Sequence, residues 1–446
     1  MSGARETESV AAMMAPMADG SRKSWRDHPL TRSVAGLFGM GFLAVILAAC
    51  LLTLPWSLGS VATQGDAGGG GGGGVPRYNA GVSSGGRLPP WWVTPAPDQA
   101  LRLNSLVARE RVELIAAEAG VSVEEALART DGAVGAAMRR EWPRFWLGTD
   151  VLGRSLLVRA MAGGGISLSI GMLAALLSVF IGTMYGAISG YVGGRVDAAM
   201  MRVVDVLYGL PYVLLVVLLA VAGDAVLDEY LSRSKARAAF VQREALVVME
   251  QRDARPDLMA LEPGARVAAF LSREPALAEE LRERALVARP PRVISRGQRM
   301  AFDVGVLLVA IGGLSWLTMA RVIRGQVLSL KSRPFIEAAR AIGVPPVRIF
   351  LRHLLPNLAG PIIVYATLTV PQAILQESFL SFLGIGVKPP LPSWGTLAAD
   401  GLSELNPYRS NWWLLLFPCL LLASTLLALN FVGEGLREAL DPRRKR

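Results

Sequence analysis

The residues best placed to do work lie in one polar stretch, residues 332–356, which reads SRPFIEAARAIGVPPVRIFLRHLLP. It carries Arg333, Arg340, Arg348 and Arg352 against a single acid, Glu337. Glu337-Ala338-Ala339 is followed by Gly343 and then by Leu355-Pro356. Small residues, one acid, a glycine break and an excess of arginine suit a docking surface. A short helix is predicted from Pro334 to Ile342, stopped at Gly343, because glycine tolerates the left-handed conformation of a helix cap. Glu337 near its start suits the helix dipole and could accept a charge-assisted hydrogen bond from a partner. The plain alternative is a basic connection between two helices.

Other chemistry is sparse. Cys50 and Cys419 each lie alone in an apolar run, and His28 and His353 are far apart, so no metal-ligand spacing is visible. A phosphate-cradling Gly-x-x-x-x-Gly-Lys-Ser/Thr run does not occur, so any use of ATP by that route must pass through another chain. No catalytic group and no cofactor is expected. Glu377, at or just beyond the outer end of an apolar run, is a candidate for a path or gate, because an acid at membrane depth is costly. Its alternative is an interfacial acid that pairs locally. Pro211 and Pro371 join it as helix-kinking residues inside apolar runs. Thr149 and Asp150 are helix-capping types ahead of a run from residue 151 to 161, and Asp205 is expected to pair with Arg202.

These groups are carried by apolar elements. Of 446 residues, 52% are hydrophobic and only 18% charged, and the mean hydropathy is +0.40. Several charge-poor runs approach the roughly 20 residues that span a bilayer. The expected architecture is an all-α polytopic membrane protein with six transmembrane helices. A net charge of +10 then reads as arginine at cytoplasmic helix ends rather than as a nucleic-acid footprint, and nucleic acid is not an expected partner.

In chain order, residues 1–33 form a polar arm and 34–55 the first span. Residues 56–145 form a long extramembrane segment with a glycine run and a helical part, tethered and mobile. Residues 146–223 hold an interfacial segment and the second and third spans, the third kinked at Pro211. Residues 224–301 form a second, charged helical segment. Residues 302–433 hold the fourth span, the polar loop, the fifth span, an outer turn and the sixth span, and 434–446 a basic tail. Six spans put both termini on one side. The basic loop and tail make that side cytoplasmic, with the two long segments facing outward.

The loop resembles the "EAA" loop of bacterial ABC importer permeases. LGTDVLGRS (147–155), FLGIGVKPPLPSWG (382–395) and LNFVGEGLREALDPR (429–443) resemble segments of the C-type permease of the dipeptide and oligopeptide (nickel) transporter family. The resemblance implies an inner-membrane subunit paired with a homologous permease. Two cytoplasmic ATPases, which hold ATP and magnesium, and an extracytoplasmic solute-binding protein complete the expected assembly. Glu337, Ala338, Ala339, Arg340, Gly343, Leu355 and Pro356 match the coupling loop. Gly148, Thr149, Asp150, Gly153 and Arg154 match a motif read as structural. Segments 65–141 and 224–299 fall outside the resemblance and look like insertions. The implied cargo is peptide, with nickel, glutathione or another peptide-like solute as alternatives. Two other classes stay open: an ATP-independent transporter or channel, and a receptor whose function lies in the outer segments.

Overall fold

The computed structural model describes residues 34–61, 74–251, 263–292, 294–406 and 410–440. The N-terminal arm, most of the glycine run and the last residues of the basic tail lie outside the described residues. Among the described residues, five helices are long and apolar enough to cross a membrane, or six if one sharply bent pair is a single span. The protein is a multi-pass helical membrane protein.

The apolar helices are α1 (Val34–Leu58), α6 (Leu156–Val192), the pair α7 (Gly194–Tyr208) and α8 (Tyr212–Ser232), α12 (Arg296–Lys331), α15 (Leu355–Phe382) and α17 (Trp413–Leu440). Shorter helices fill the connections. These are α2 (Pro97–Ser105), α3 (Arg109–Ala119), α4 (Val123–Ala128), α5 (Gly132–Glu141), α9 (Ser234–Gln251), α10 (Pro263–Arg273), α11 (Pro275–Ala288), α13 (Pro334–Ala341), α14 (Pro346–Ile349) and α16 (Trp394–Ser403). One short antiparallel pair joins Ser60–Val61 to Val75–Pro76.

Helix α6 is the axis of the bundle. Small residues along it allow close approach from several sides, which matters where lipid supplies no hydrophobic drive between helices. A Cβ on Gly186 would fall 2.3 Å from the Ala320 carbonyl of α12, and one on Gly171 would fall 2.2 Å from Ile374 of α15. The seam is continued by the buried side chains of Ile170, Ala174, Ala310, Ile311 and Ala373. Near one end Asp197 at the start of α7 receives both arms of the Arg324 guanidinium, at 2.5 and 2.6 Å.

Several sequence expectations change. The third span is a break rather than a kink: α7 and α8 meet at 89°. Gly209 closes α7 and Pro211, without an N–H, opens α8, so no hydrogen-bond ladder carries the helix across. Helix α8 then runs past residue 223, so the second charged segment begins on its last turns. Residues 151–161 do not form a separate surface helix, because α6 starts at Leu156 with Ser155 in the capping position. Asp205 pairs with Arg321 at 2.9 Å, across helices, not with Arg202.

The two segments expected to lie outside the membrane have their own cores. Val107, Val112, Ala116, Ala126, Val134 and Met138 close the helices of the first, and Ala245, Met249, Val267 and Leu281 those of the second. Gly186→Leu is expected to destabilise the α6–α12 seam by about 1–3 kcal/mol or more, because backbone rather than a mobile side chain opposes the new atoms. A thermal unfolding midpoint of the detergent-solubilised chain indistinguishable from the parent's would contradict this packing.

Candidate functional site

The polar stretch folds as expected from its own residues. Pro334 stands in the first turn of α13, where a missing N–H costs nothing. Gly343 ends the turn with φ +78°. Helix α13 is amphipathic. Ile336 and Ala339 are buried with Ile349, Leu354 and Leu358 against Met319, Ile323 and Val327 of α12 and Ala187 of α6. Glu337 and Ala338 face outward, so of the two alanines only Ala338 offers a partner close access. Arg340 lies over the Tyr191 ring of α6, 5.1 Å from its centroid. Lys331 donates to the Gly190 carbonyl at 2.8 Å. Leu355 and Pro356 open α15 directly after a one-turn widening of the helix at Phe350–Leu354.

The outward face carries more than the acid and the arginines. Ile342, Val347 and Leu351 are 80%, 69% and 56% exposed, beside a half-open Phe335. The sequence reading missed this apolar knob. Part of the signal was there: Val347 and Leu351 each stand two residues from the buried Ile349, on the opposite side of the helical turn, where a solvated loop would carry polar types. Ile342 keeps the spacing of Ile336 and Ala339 and is exposed because α13 ends before it.

A second feature is a groove of about 500 Å³ between α7–α8, α12 and α15, lined by Tyr208, Tyr212, Ser315, Thr369, Gln372 and Gln376 among others, and by no charged side chain. Tyr212 donates to Gln376 Oε1 at 2.7 Å, and its hydroxyl lies 3.0 Å from that of Ser315.

Of the three path candidates, none lines this groove. Glu377 is fully buried. The hydroxyls of Ser381 and Ser378 donate to its carboxyl at 2.7 and 3.3 Å. Ser381 also accepts from Val387 N at 2.9 Å, so the acid braces the turn in which residues 383–393 fold back. Glu377 is thus enclosed by protein and paired locally, and it does not line the groove. Pro371 is buried within α15, and Pro211 sits exposed at the break, flanked by groove residues Leu210 and Tyr212.

The stretch 147–155 knits the opposite end of the bundle. Gly148 and Gly153 have φ of +82° and +72°. Thr149 donates to Gly85 O at 2.6 Å and accepts from Leu88 N at 2.8 Å. Asp150 accepts from Leu152 N and Arg154 N, both at 2.9 Å, and from the guanidinium groups of Arg154 and Arg159, both at 2.6 Å. Arg154 reaches on to Asn79 at 2.7 Å. Neither Thr149 nor Asp150 caps the following helix; they clamp the first extramembrane segment to it. The tethered, mobile reading of that segment therefore fails for residues 74–105. Arg87 reinforces the clamp with a two-armed pair to Glu404 at 2.6 and 2.9 Å.

A family described as "Binding-protein-dependent transport system inner membrane component" matches residues 178–446, which include the polar helix, the groove wall and the folded-back turn. The chain belongs to this family. Its relatives include a dipeptide transport system permease protein of Bacillus subtilis, 36% identical over 68% of this chain and 69% of the relative. An oligopeptide transport system permease protein of Haemophilus influenzae is 38% identical over 67% and 70% of the two chains. That of Escherichia coli is 39% identical over 67% and 72%. Membership of the binding-protein-dependent family implies a membrane, a solute-binding partner and an ATPase partner.

The clamp gives an acid dependence. The Arg87 hydrogen bonds hold the Glu404 carboxyl below the usual carboxylate range, against its partial burial and with help from Asn411. A lowered folded pKa adds stability above the ordinary value, about 4.3, which is lost as pH falls through the folded value. Protection of the amides of residues 85–88, taken relative to the intrinsic exchange rate at each pH, is expected to fall below about pH 4, and that step is expected to be absent in Glu404→Gln. Identical pH profiles for the two proteins would remove Glu404 from the clamp.

Proposed function

We propose that this chain is the peptide-class permease subunit of an ATP-driven importer, receiving the force of ATP hydrolysis through α13 and passing di- or oligopeptides along the groove at Tyr212 and Gln376. The observation that carries the coupling half is α13 itself. It is a short helix with one face locked into the bases of α6, α12 and α15, and the other presenting Glu337 and Ala338 beside the apolar knob of the turns that follow it. A rigid helix seated in a partner's cleft transmits displacement, whereas a flexible loop absorbs it. ATP and magnesium belong to the partner ATPases in this reading. The chain itself carries out no covalent chemistry.

Peptide as cargo is supported by the names of the relatives, dipeptide and oligopeptide permeases, and by the groove's chemistry. Amide and hydroxyl groups without charge can pair with the main-chain N–H and C=O groups common to all peptides. Net-charged walls would instead favour some side chains over others. The proposed assembly includes a homologous permease across the groove, two ATPases on the α13 side, and a solute-binding protein at the clamp side. Both termini then lie in the cytoplasm.

Glu337→Lys and Gly343→Val test the coupling in the assembled transporter. The first reverses the only acid on the exposed face. The second strains the left-handed turn by roughly 1–2 kcal/mol without a steric clash, since nothing lies within 4 Å of a Cβ there. Both variants are expected to insert normally, with peptide uptake and substrate-stimulated ATP hydrolysis falling together at least about tenfold. Unchanged stimulated hydrolysis in either variant would refute force transfer through α13.

A further inference from the structure

We propose that the first extramembrane segment holds a binding site for the phosphate of an anionic phospholipid headgroup, in a cleft between the end of α5 and the Pro89–Pro95 turn. This rests only on the chain spanning a bilayer, not on its cargo or coupling.

The cleft has a volume of about 190 Å³ and is lined by Arg139, Arg140, Arg144, Trp91 and Phe145 among others, with no acidic residue in its wall. Arg139 and Arg140 lie in the last turn of α5. All three arginines are exposed, and none forms an ion pair among the described residues. Three like charges lining one concave surface with no acid in its wall make a local positive potential that favours an anion. Planar guanidinium groups suit the paired oxygens of a phosphodiester.

The position of the cleft selects lipid over free phosphate. Trp91 forms one wall, with Arg144 over its face at 5.8 Å and the Trp146 ring 5.9 Å away. Trp92, next in the chain, packs on Trp412 at 6.1 Å and on Phe417 at 6.5 Å. Those two flank the first turn of α17, where a membrane span begins. The three tryptophans 91, 92 and 146 are 51%, 54% and 59% exposed, although a folded chain in water would bury such rings. Tryptophan at the end of a span settles at headgroup level. The aromatic belt therefore sets the depth, and the arginines beside it stand at the level of lipid phosphates, where each basic residue strengthens anionic binding.

The test uses the full chain in nanodiscs of mixed phosphatidylglycerol and phosphatidylcholine with identical acyl chains, read by native mass spectrometry of retained lipid. The parent protein is expected to retain phosphatidylglycerol at least about tenfold over phosphatidylcholine. Arg139→Gln/Arg140→Gln/Arg144→Gln, which removes three exposed groups that form no ion pair and one stacking contact, Arg144 on Trp91, is expected to abolish most of that preference while the chain stays folded, with its unfolding midpoint within a few degrees of the parent's. A preference that survives the triple change, or that is absent in the parent, overturns the proposal. Displacement of the lipid by millimolar inorganic phosphate overturns the lipid assignment in favour of a free-anion site. Intact lipid preference with loss of binding-protein-dependent uptake in the triple variant overturns it in favour of a protein partner.

Discussion

The close approach of α6 to its neighbours is the constraint on which the other features depend. Gly171 and Gly186 leave no room for a side chain against α15 and α12. With backbones that near, one helix can be held by two others at once and still leave a free face. The groove is walled by α12 and α15 together with the α7–α8 break, and α6 contributes no side chain to it. Larger residues in α6 would separate α12 from α15 and erase the groove geometry at Ser315 and Gln376, even though neither residue touches α6's glycines.

Charge is distributed around this seam in a consistent way. At the α13 end the pairs Asp197–Arg324 and Asp205–Arg321 tie α7 to α12. At the clamp end Asp150 gathers Arg154 and Arg159, and Arg159 approaches Asp400 at 3.5 Å. Between them the groove is polar but uncharged. Buried or half-buried ion pairs are poor sources of net stability and good fixers of register. Placing them at the two ends fixes how the helices align lengthwise and leaves the middle able to repack. Glu377 belongs to the same pattern: its serine partners anchor the folded-back turn, and it does not line the groove.

Much of the fold could be read from the chain because its signals are local. Uncharged runs such as 160–194 announce spans, and Pro334 and Gly343 bracket α13 within a residue. The losses have tertiary causes. Pro211 signals a lost hydrogen bond, but the 89° turn depends on Tyr212 reaching Ser315 and Gln376, residues over a hundred positions away. Glu377 looks interfacial because its apolar run ends there; only the return of residues 383–393 buries it. Thr149 and Asp150 are good capping types, and their real partners, Gly85, Leu88, Arg154 and Arg159, include residues about sixty positions upstream. Asp205 has an arginine three residues before it, yet the cross-helix Arg321 stacks on Tyr208 as well, 4.1 Å from the ring centroid. That second contact favours the distant partner over the near one.

The same contacts define how motion at α13 would spread. Helix α13 does not hang from α12 alone: Ile336 and Ala339 share one packed cluster with residues of α6, α12 and α15, and Arg340 rests on Tyr191. A push on its outer face therefore loads three helices together rather than bending one connection. The widened turn at Phe350–Leu354 lies between α13 and the start of α15. A helix is most readily reset at such a turn, because its hydrogen bonds are already off the regular ladder. Further along α15 come Gln372 and Gln376, the groove's amide groups, which a shift of its base would carry past Tyr212. The Gly209–Pro211 break lets Tyr212 stay behind, since no backbone ladder joins α8 to α7. The hydrogen bond between Tyr212 and Gln376 is then the contact that opening must break. It is a neutral bond, worth about 1 kcal/mol net, and so is weak enough for a packed cluster displaced by a partner to break and remake in each cycle.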